Sequence, residues 1–120
     1  MYFRVTIPAL QDGKRDEAVS YVKEKVMPEF AGTSGLLTMM AAVTGENSGI
    51  NLSCYESKEA LDAAQEQIDS VLAGAANLMA APPVVYEGDA VYGKVYQTMA
   101  KDSQRPSYLR LVVGLSLIHI

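Results

Sequence analysis

The stretch from Ile50 to Leu72 constrains the fold most, because its pattern predicts a β-strand that leads directly into a helix. Strand side chains alternate between two faces, so Asn51, Ser53 and Tyr55 share one face. Ser57 then stands where its hydroxyl suits a helix N-cap. Beyond it, apolar residues recur at the spacing of one buried helical face: Leu61, Ala64, Ile68, Val71, Leu72 and Ala75. This joint predicts a fold and names no reaction.

Similar patterns along the rest of the chain predict the order β-α-β-β-α-β. We expect strands over Tyr2–Ile7, Leu36–Thr44, Ile50–Glu56 and Val84–Tyr96, with a helix after the first and the third strand. The last segment is either a strand pair or one broken strand, with a turn or bulge at Glu87–Asp89. Pro8 is expected to close the first strand, and Pro28 to end the first helix near Met27. Asp12 forms a turn with Gly13 or caps that helix. Pro82 and Pro83 are expected to stop the second helix.

This order is typical of the ferredoxin-like α+β fold, in which an antiparallel sheet carries both helices on one face. The second strand is apolar on both faces, with Met39 on one and Met40 on the other. The sheet face without helices is therefore too apolar for water, and we expect it to form a homodimer with a second copy.

The chain divides into an expected barrel domain over residues 1–98 and an extension over residues 99–120. Residues 108–120 are strongly apolar, yet the run is too short for a bilayer, which takes about 20 such residues. We expect an extra C-terminal strand at a sheet edge, of this subunit or of its partner. A cloning or read-through artefact is the alternative.

Composition excludes several classes of function. The net charge of −4 and the scattering of the ten Lys and Arg residues argue against a nucleic-acid partner. One cysteine, Cys54, excludes an internal disulfide and a Cys-rich metal site, and with no base beside it an inert buried thiol is expected. The single His119 makes no metal site. Because the chain starts like a strand rather than a signal peptide, we expect a cytoplasmic protein. We also expect no metal, cofactor or membrane partner.

Three short segments, together with the order of elements, carry a family resemblance: Gly13–Glu17, Gly35-Leu36 and Tyr55–Ala60. They resemble the antibiotic-biosynthesis-monooxygenase-like family of dimeric α+β barrels, over about residues 1–97. The resemblance implies a dimeric barrel with a cavity between helices and sheet. The family includes cofactor-independent monooxygenases acting on polyketide aromatics, haem-degrading enzymes and many members of unknown role.

The residues of the two enzyme branches match in part. The monooxygenase branch places an Asn and a Trp four residues apart on the third strand, where this chain has Asn51 and Tyr55. The tyrosine of that branch falls at Leu61. The haem-degrading branch requires an Asn on the first strand, a Trp and a helical His, whereas this chain has no Trp and has Gln65 at the histidine position. Haem degradation is therefore not expected.

The resemblance and the strand alternation yield one candidate ligand site, formed by Arg4, Met39, Asn51, Tyr55 and Leu61. Asn51 and Tyr55 are the catalytic candidates, because an amide and a phenol can hold a substrate carbonyl or a developing oxyanion. The alternative for both is a structural role. The sequence thus predicts a dimeric barrel that binds an apolar or amphiphilic small molecule. A cofactor-independent monooxygenase acting on an aromatic substrate is the alternative, and a purely structural dimer is a third.

Overall fold

The structure, a computed structural model, describes residues 1–94 and Arg110. Its strands are β1 (Tyr2–Leu10), β2 (Leu36–Val43), β3 (Gly49–Tyr55) and β4 (Met79–Asp89). Its helices are α1 (Arg15–Tyr21), a π-helical segment (Val22–Val26), α2 (Met27–Phe30), α3 (Lys58–Ala63), α4 (Gln65–Gly74) and a 3₁₀ turn (Ala76–Leu78). The extension at residues 99–120, with its predicted strand, lies outside the described residues apart from Arg110.

The four strands form one antiparallel sheet in the order β2-β3-β1-β4. The central pair places Arg4 opposite Ser53 and Thr6 opposite Asn51. Helices α1 to α4 cover one sheet face. Together the order and the antiparallel pairing confirm the predicted ferredoxin-like α+β fold.

The core lies between the helices and the sheet, at the end where β1 starts and β3 ends. Six buried side chains form it: Tyr2, Phe30, Tyr55, Leu61, Ala64 and Ile68. Ser57 caps α3 as predicted, because its Oγ accepts a hydrogen bond from the Ala60 backbone N–H at 3.1 Å. Burying this apolar cluster supplies most of what holds the helices on the sheet.

The first strand does not end at Pro8, as the sequence predicted, but continues to Leu10. The pairing of β1 with β4 shifts register between Ile7 and Ala9. Such an irregularity leaves one residue without a ladder hydrogen bond, so the missing N–H of Pro8 breaks nothing.

The first helical stretch also passes its proline. It continues through Pro28 to Phe30, where the sequence predicted an end near Met27. Just before the proline, the Met27 N–H donates to the Val22 carbonyl five residues earlier, as in a π-helix. The wider turn loosens the helix where a proline ring would otherwise clash with the preceding turn. Asp12 does not cap this helix; its carboxylate accepts a hydrogen bond from Asn47 at 2.6 Å.

The last strand begins earlier than predicted, because Pro82 and Pro83 lie inside β4 rather than before it. β4 is an edge strand, so the proline whose nitrogen faces solvent loses no hydrogen bond. The other lies at the register shift between the Val84–Ile7 and Ala81–Ala9 pairs, where the ladder is already interrupted. Gly88 pairs with Phe3, so the expected break at Glu87–Asp89 is absent and the strand simply ends at Asp89.

The sheet face away from the helices is apolar across its width. The ladders place these side chains there: Phe3, Val5, Ile7, Met40, Ala42, Ile50, Leu52, Val84 and Tyr86. Val84 and Tyr86 on the edge strand are 50% and 49% exposed. Within residues 1–94, none of the helices is long and apolar enough to cross a membrane.

Candidate functional site

A cavity of about 140 Å³ lies between the helices and the sheet. Its helical wall is apolar and comes from four segments: Ala18, Tyr21, Val22, Val26, Met27, Phe30, Ile68, Val71, Leu72 and Ala75. Val22, Val26 and Met27 belong to the π-helical stretch and its end, so the irregular turn that accommodates Pro28 also shapes this wall. The cavity is therefore an apolar pocket closed by helices on one side.

The sheet wall of the cavity is polar at its centre. Arg4 and Thr6 on β1 lie directly opposite Ser53 and Asn51 on β3, and all four line the cavity. We call these four residues the polar block. Among the described residues, the side chains of Thr6, Asn51 and Ser53 make no hydrogen bond. Every buried polar side-chain atom of the described residues does have a partner, so the polar atoms of these three residues are not buried. Their polar atoms therefore face open space in the cavity.

Tyr55 continues the same wall beyond the polar block. The whole residue is 1% exposed, and it packs against the core cluster. Burial raises the pKa of the Tyr55 phenol, and the nearby positive charge of Arg4 opposes that rise. The phenol is therefore protonated at neutral pH and presents a hydrogen-bond donor to the cavity.

Arg4 pairs with Glu87 on the neighbouring edge strand. The Arg4 Nη1 donates to the Glu87 Oε2 at 3.0 Å, and the side chains are 11% and 32% exposed. The two residues are direct partners in the β1–β4 ladder, so strand register fixes this ion pair. Glu87 does not line the cavity, and among the described residues that do, Arg4 is the one that carries a charge.

Tyr21 and Gly74 hold the helical wall together. The Tyr21 hydroxyl donates to the Val71 carbonyl at 2.7 Å, which joins α1 to α4. A Cβ at Gly74 would collide with that same hydroxyl. The glycine thus lets the two helices approach closely enough to close the cavity.

A second, open depression of about 250 Å³ lies on the outside, between the loop after α2 and helices α3 and α4. The polar side chains of Thr33 and Gln67 in its wall already bond to each other at 3.3 Å. Gln67 also donates to the Glu29 carbonyl at 2.8 Å. Since these groups have partners, the depression offers less to a ligand than the cavity does.

The described residues contain no group of three or more His, Cys, Asp or Glu side chains placed to hold a metal ion. Cys54 is 3% exposed, and burial raises the pKa of its thiol while the charge of the N-terminus opposes that rise. Its Sγ lies 3.8 Å from the Met1 sulfur, on the sheet face away from the cavity. The thiol is therefore neutral at pH 7 and remote from the polar block.

No family model and no curated protein matches this sequence. Solved structures do match it. NE2512, a protein of unknown function from Nitrosomonas europaea, matches with a TM-score of 0.70 and 17% identity over 81% of this chain and 95% of that one. The monooxygenase from the gene ActVA-Orf6 of Streptomyces coelicolor, in complex with the ligand nanaomycin D, matches at 0.66 and 13%, covering 81% and 92% of the two chains.

A structure described as an antibiotic biosynthesis monooxygenase matches at a TM-score of 0.65 and 14% identity, and this chain covers all of it. The chain has the fold of the antibiotic biosynthesis monooxygenases. The TM-scores establish a shared fold, which is the ferredoxin-like α+β fold that the resemblance implied, and identities this low support nothing beyond it. They assign no reaction to this chain.

On this monooxygenase-type fold, the structure brings four of the five predicted site residues together. Arg4, Met39, Asn51 and Tyr55 line the cavity. Leu61 does not line it; the side chain is 1% exposed and packs inside the core. The roles of these residues in binding or catalysis stay predictions.

Sequence reasoning did not select Thr6, Ser53 or Tyr21 as site residues, although all three line the cavity. Strand alternation placed Ser53 beside Asn51 and Thr6 beside Arg4, which is the signal that identifies the first two. Nothing in the sequence pattern identifies Tyr21, because its position depends on how α1 packs against α4.

Proposed function

We propose that this chain binds an apolar or amphiphilic small molecule in the cavity between helices and sheet. One observation carries the proposal: three polar side chains without protein partners, Thr6, Asn51 and Ser53, face a cavity whose helical wall is apolar. An apolar cavity with a few convergent polar groups is the usual form of a small-molecule site. Their hydroxyl and amide groups are accessible from the cavity rather than buried without a partner, so a ligand would find free donors and acceptors there.

The two walls orient the proposed ligand. Its apolar part would lie against the helical wall, where Val22, Ile68 and Val71 offer hydrocarbon surface. Its polar end would lie on the polar block, with the Asn51 amide and the Tyr55 hydroxyl within the same wall. A molecule that is polar at one end fits both walls.

The proposal includes a homodimer through the open sheet face. Val5 and Leu52 on the central strands and Tyr86 on the edge strand belong to one continuous apolar surface. Large exposed apolar surfaces of this kind are typical of interfaces, and a second copy offers a self-complementary one. A cytoplasmic dimer without nucleic-acid or membrane partners agrees with the acidic net charge and the free thiol.

Native mass spectrometry of the full chain, followed by organic extraction, tests both parts. We expect a dimer mass that carries an extra small molecule. Ala18→Leu, which extends a side chain into the cavity, should remove the extra mass, because about three added carbon atoms occupy the ligand's space. Ala73→Leu on the exposed side of α4 is the matched control and should retain it.

Two results would contradict the proposal. A monomer mass under gentle conditions would rule out the proposed homodimer. An equal extra mass on wild type and on Ala18→Leu would place the ligand outside the cavity.

A cofactor-independent monooxygenase is the second candidate, and the placement of Asn51 and Tyr55 in one cavity wall favours it. An electron-rich phenol can reduce O₂ itself: it loses two hydrogens and gains one oxygen atom, and the other oxygen atom leaves as water. The Asn51 amide would hold the oxygen on which negative charge develops, and the apolar helical wall would exclude water.

Oxygen uptake with a hydroxylated aromatic tests this candidate. Asn51→Ala should lower the rate about 10²–10³-fold, as the loss of one donor to a developing anion does. Asn77→Ala removes an exposed amide outside the cavity and should leave the rate unchanged. Equal uptake by Asn51→Ala and wild type would exclude Asn51 from the reaction, and no uptake by wild type would reject the candidate.

A further inference from the structure

We infer that the ligand is a single-ring molecule with one anionic oxygen and that Arg4 binds this oxygen. The inference rests on the proposed function and specifies its ligand class. Three observations support it: the cavity volume, the charge of its lining and the hydrogen bonds of Arg4.

The cavity volume sets the size of the ligand. At about 140 Å³ it is close to the ~150 Å³ of an engineered apolar cavity that binds benzene. One ring with small substituents fills this space, whereas three fused rings exceed it and would either project from its open side or require the helices to move apart. The Tyr21–Val71 hydrogen bond at 2.7 Å and the close approach at Gly74 resist that movement.

The charge of the lining sets the charge of the ligand. No Asp or Glu belongs to the described residues that line the cavity, and Arg4 supplies a positive charge to it. The Arg4 side chain is 11% exposed, so water screens this charge only in part. Glu87 compensates this charge from outside the cavity, so an anionic group on the ligand would gain the full attraction of Arg4 only when Glu87 turns away.

Arg4 also has donors to spare. Within residues 1–94 its guanidinium makes one hydrogen bond, from Nη1 to Glu87, and its other N–H groups bond to no side chain or backbone carbonyl. A guanidinium is a planar fork that binds carboxylate-like oxygens through two parallel bonds. Because Glu87 takes up only one donor, another N–H of Arg4 can bind an anionic oxygen of the ligand on the cavity side. This position lies beside Ser53, which is the direct partner of Arg4 in the β1–β3 ladder.

Glu87 is the competitor for Arg4. It stands on the edge strand and its side chain is 32% exposed, so it can turn to solvent when a ligand anion arrives. The pair also compensates the charge of Arg4, since an unpaired buried charge is strongly unfavourable. Removing the charge of Glu87 should therefore strengthen the attraction of Arg4 for a ligand anion.

Two probes of nearly equal size test the inference, 4-nitrophenol in mildly alkaline buffer and its neutral methyl ether, 4-nitroanisole. We expect the phenolate to bind more tightly than the ether to the full-length protein, with a shift of its visible absorption. Arg4→Gln should weaken phenolate binding by about tenfold or more and leave ether binding within about twofold. Glu87→Gln should tighten phenolate binding and leave ether binding unchanged. Because this variant retains Arg4, it tests the inference even if Arg4→Gln does not fold.

The outcomes separate this inference from the function on which it rests. Equal binding of both probes, with no effect of either substitution, would overturn the role of Arg4 and keep the cavity as a ligand site. Binding of neither probe to wild type would overturn the proposed function together with the inference. Weaker phenolate binding in Glu87→Gln would also overturn it, because Glu87 would then assist the ligand rather than compete with it.

Discussion

Gly35→Ala should lower the free energy of unfolding by about 2–4 kcal/mol. Gly35 has φ of +79°, a left-handed conformation that costs a residue with a Cβ about 1–2 kcal/mol. A Cβ there would also lie 2.6 Å from the Ala60 Cβ, so β2 and α3 would have to move apart. The Gly35 carbonyl accepts the Glu56 N–H at 2.8 Å, and this bond would be strained as well.

Gly32→Ala is the matched control, because Gly32 has φ of +80° and a Cβ added there would meet no other atom within 4 Å. Denaturant unfolding of both variants should show a loss of about 1–2 kcal/mol for Gly32→Ala and a larger one for Gly35→Ala. In a double-mutant cycle, Ala60→Gly should recover part of the Gly35→Ala loss. Equal losses at Gly32 and Gly35 would show that the contact with Ala60 relaxes without cost.

Leu61→Ala should lower the free energy of unfolding by about 2–5 kcal/mol. Leu61 is 1% exposed and packs in the core cluster with Tyr55 and Ile68, where α3 meets the sheet. Removing its branched end loses buried apolar area and leaves a void that close-packed neighbours fill only in part. Because Tyr55 belongs to the same core cluster as Leu61 and also lines the cavity, we expect the variant to bind ligand less tightly as well.

Leu37→Ala is the control for Leu61→Ala, since Leu37 is 50% exposed. It removes the same atoms from β2, and its loss should be under about 1 kcal/mol. Chemical denaturation with an unchanged slope against denaturant concentration would show that both values report stability. A loss for Leu61→Ala as small as that for Leu37→Ala would contradict the packing of α3 described here.

Hydrophobic periodicity predicted the elements well, because a strand or helix shows its buried face in local sequence. The joint from β3 into α3, with its Ser57 cap, depends on neighbours in the chain and was confirmed. The prolines show where local rules fail. Pro8, Pro28 and Pro82 were expected to end elements, and each lies within one.

The reason is that a proline's effect depends on which hydrogen bond is missing. A register shift beside Pro8, a π-helical turn before Pro28 and a sheet edge at Pro82 each remove the need for that bond. Sheet order, register and helix hydrogen bonding are properties of the assembled fold. A local sequence pattern does not contain them.

The features of the candidate site likewise divide into those that the local sequence determines and those that only the assembled fold determines. The sequence by itself determined that Asn51, Ser53 and Tyr55 share one strand face, since alternation is a local property of the backbone. Only the tertiary structure decided that this face meets an apolar helical wall, that Arg4 pairs with Glu87, distant in sequence, and that Leu61 lies in the core. These contacts join residues far apart in the chain, and packing of the helices on the sheet is what brings them together.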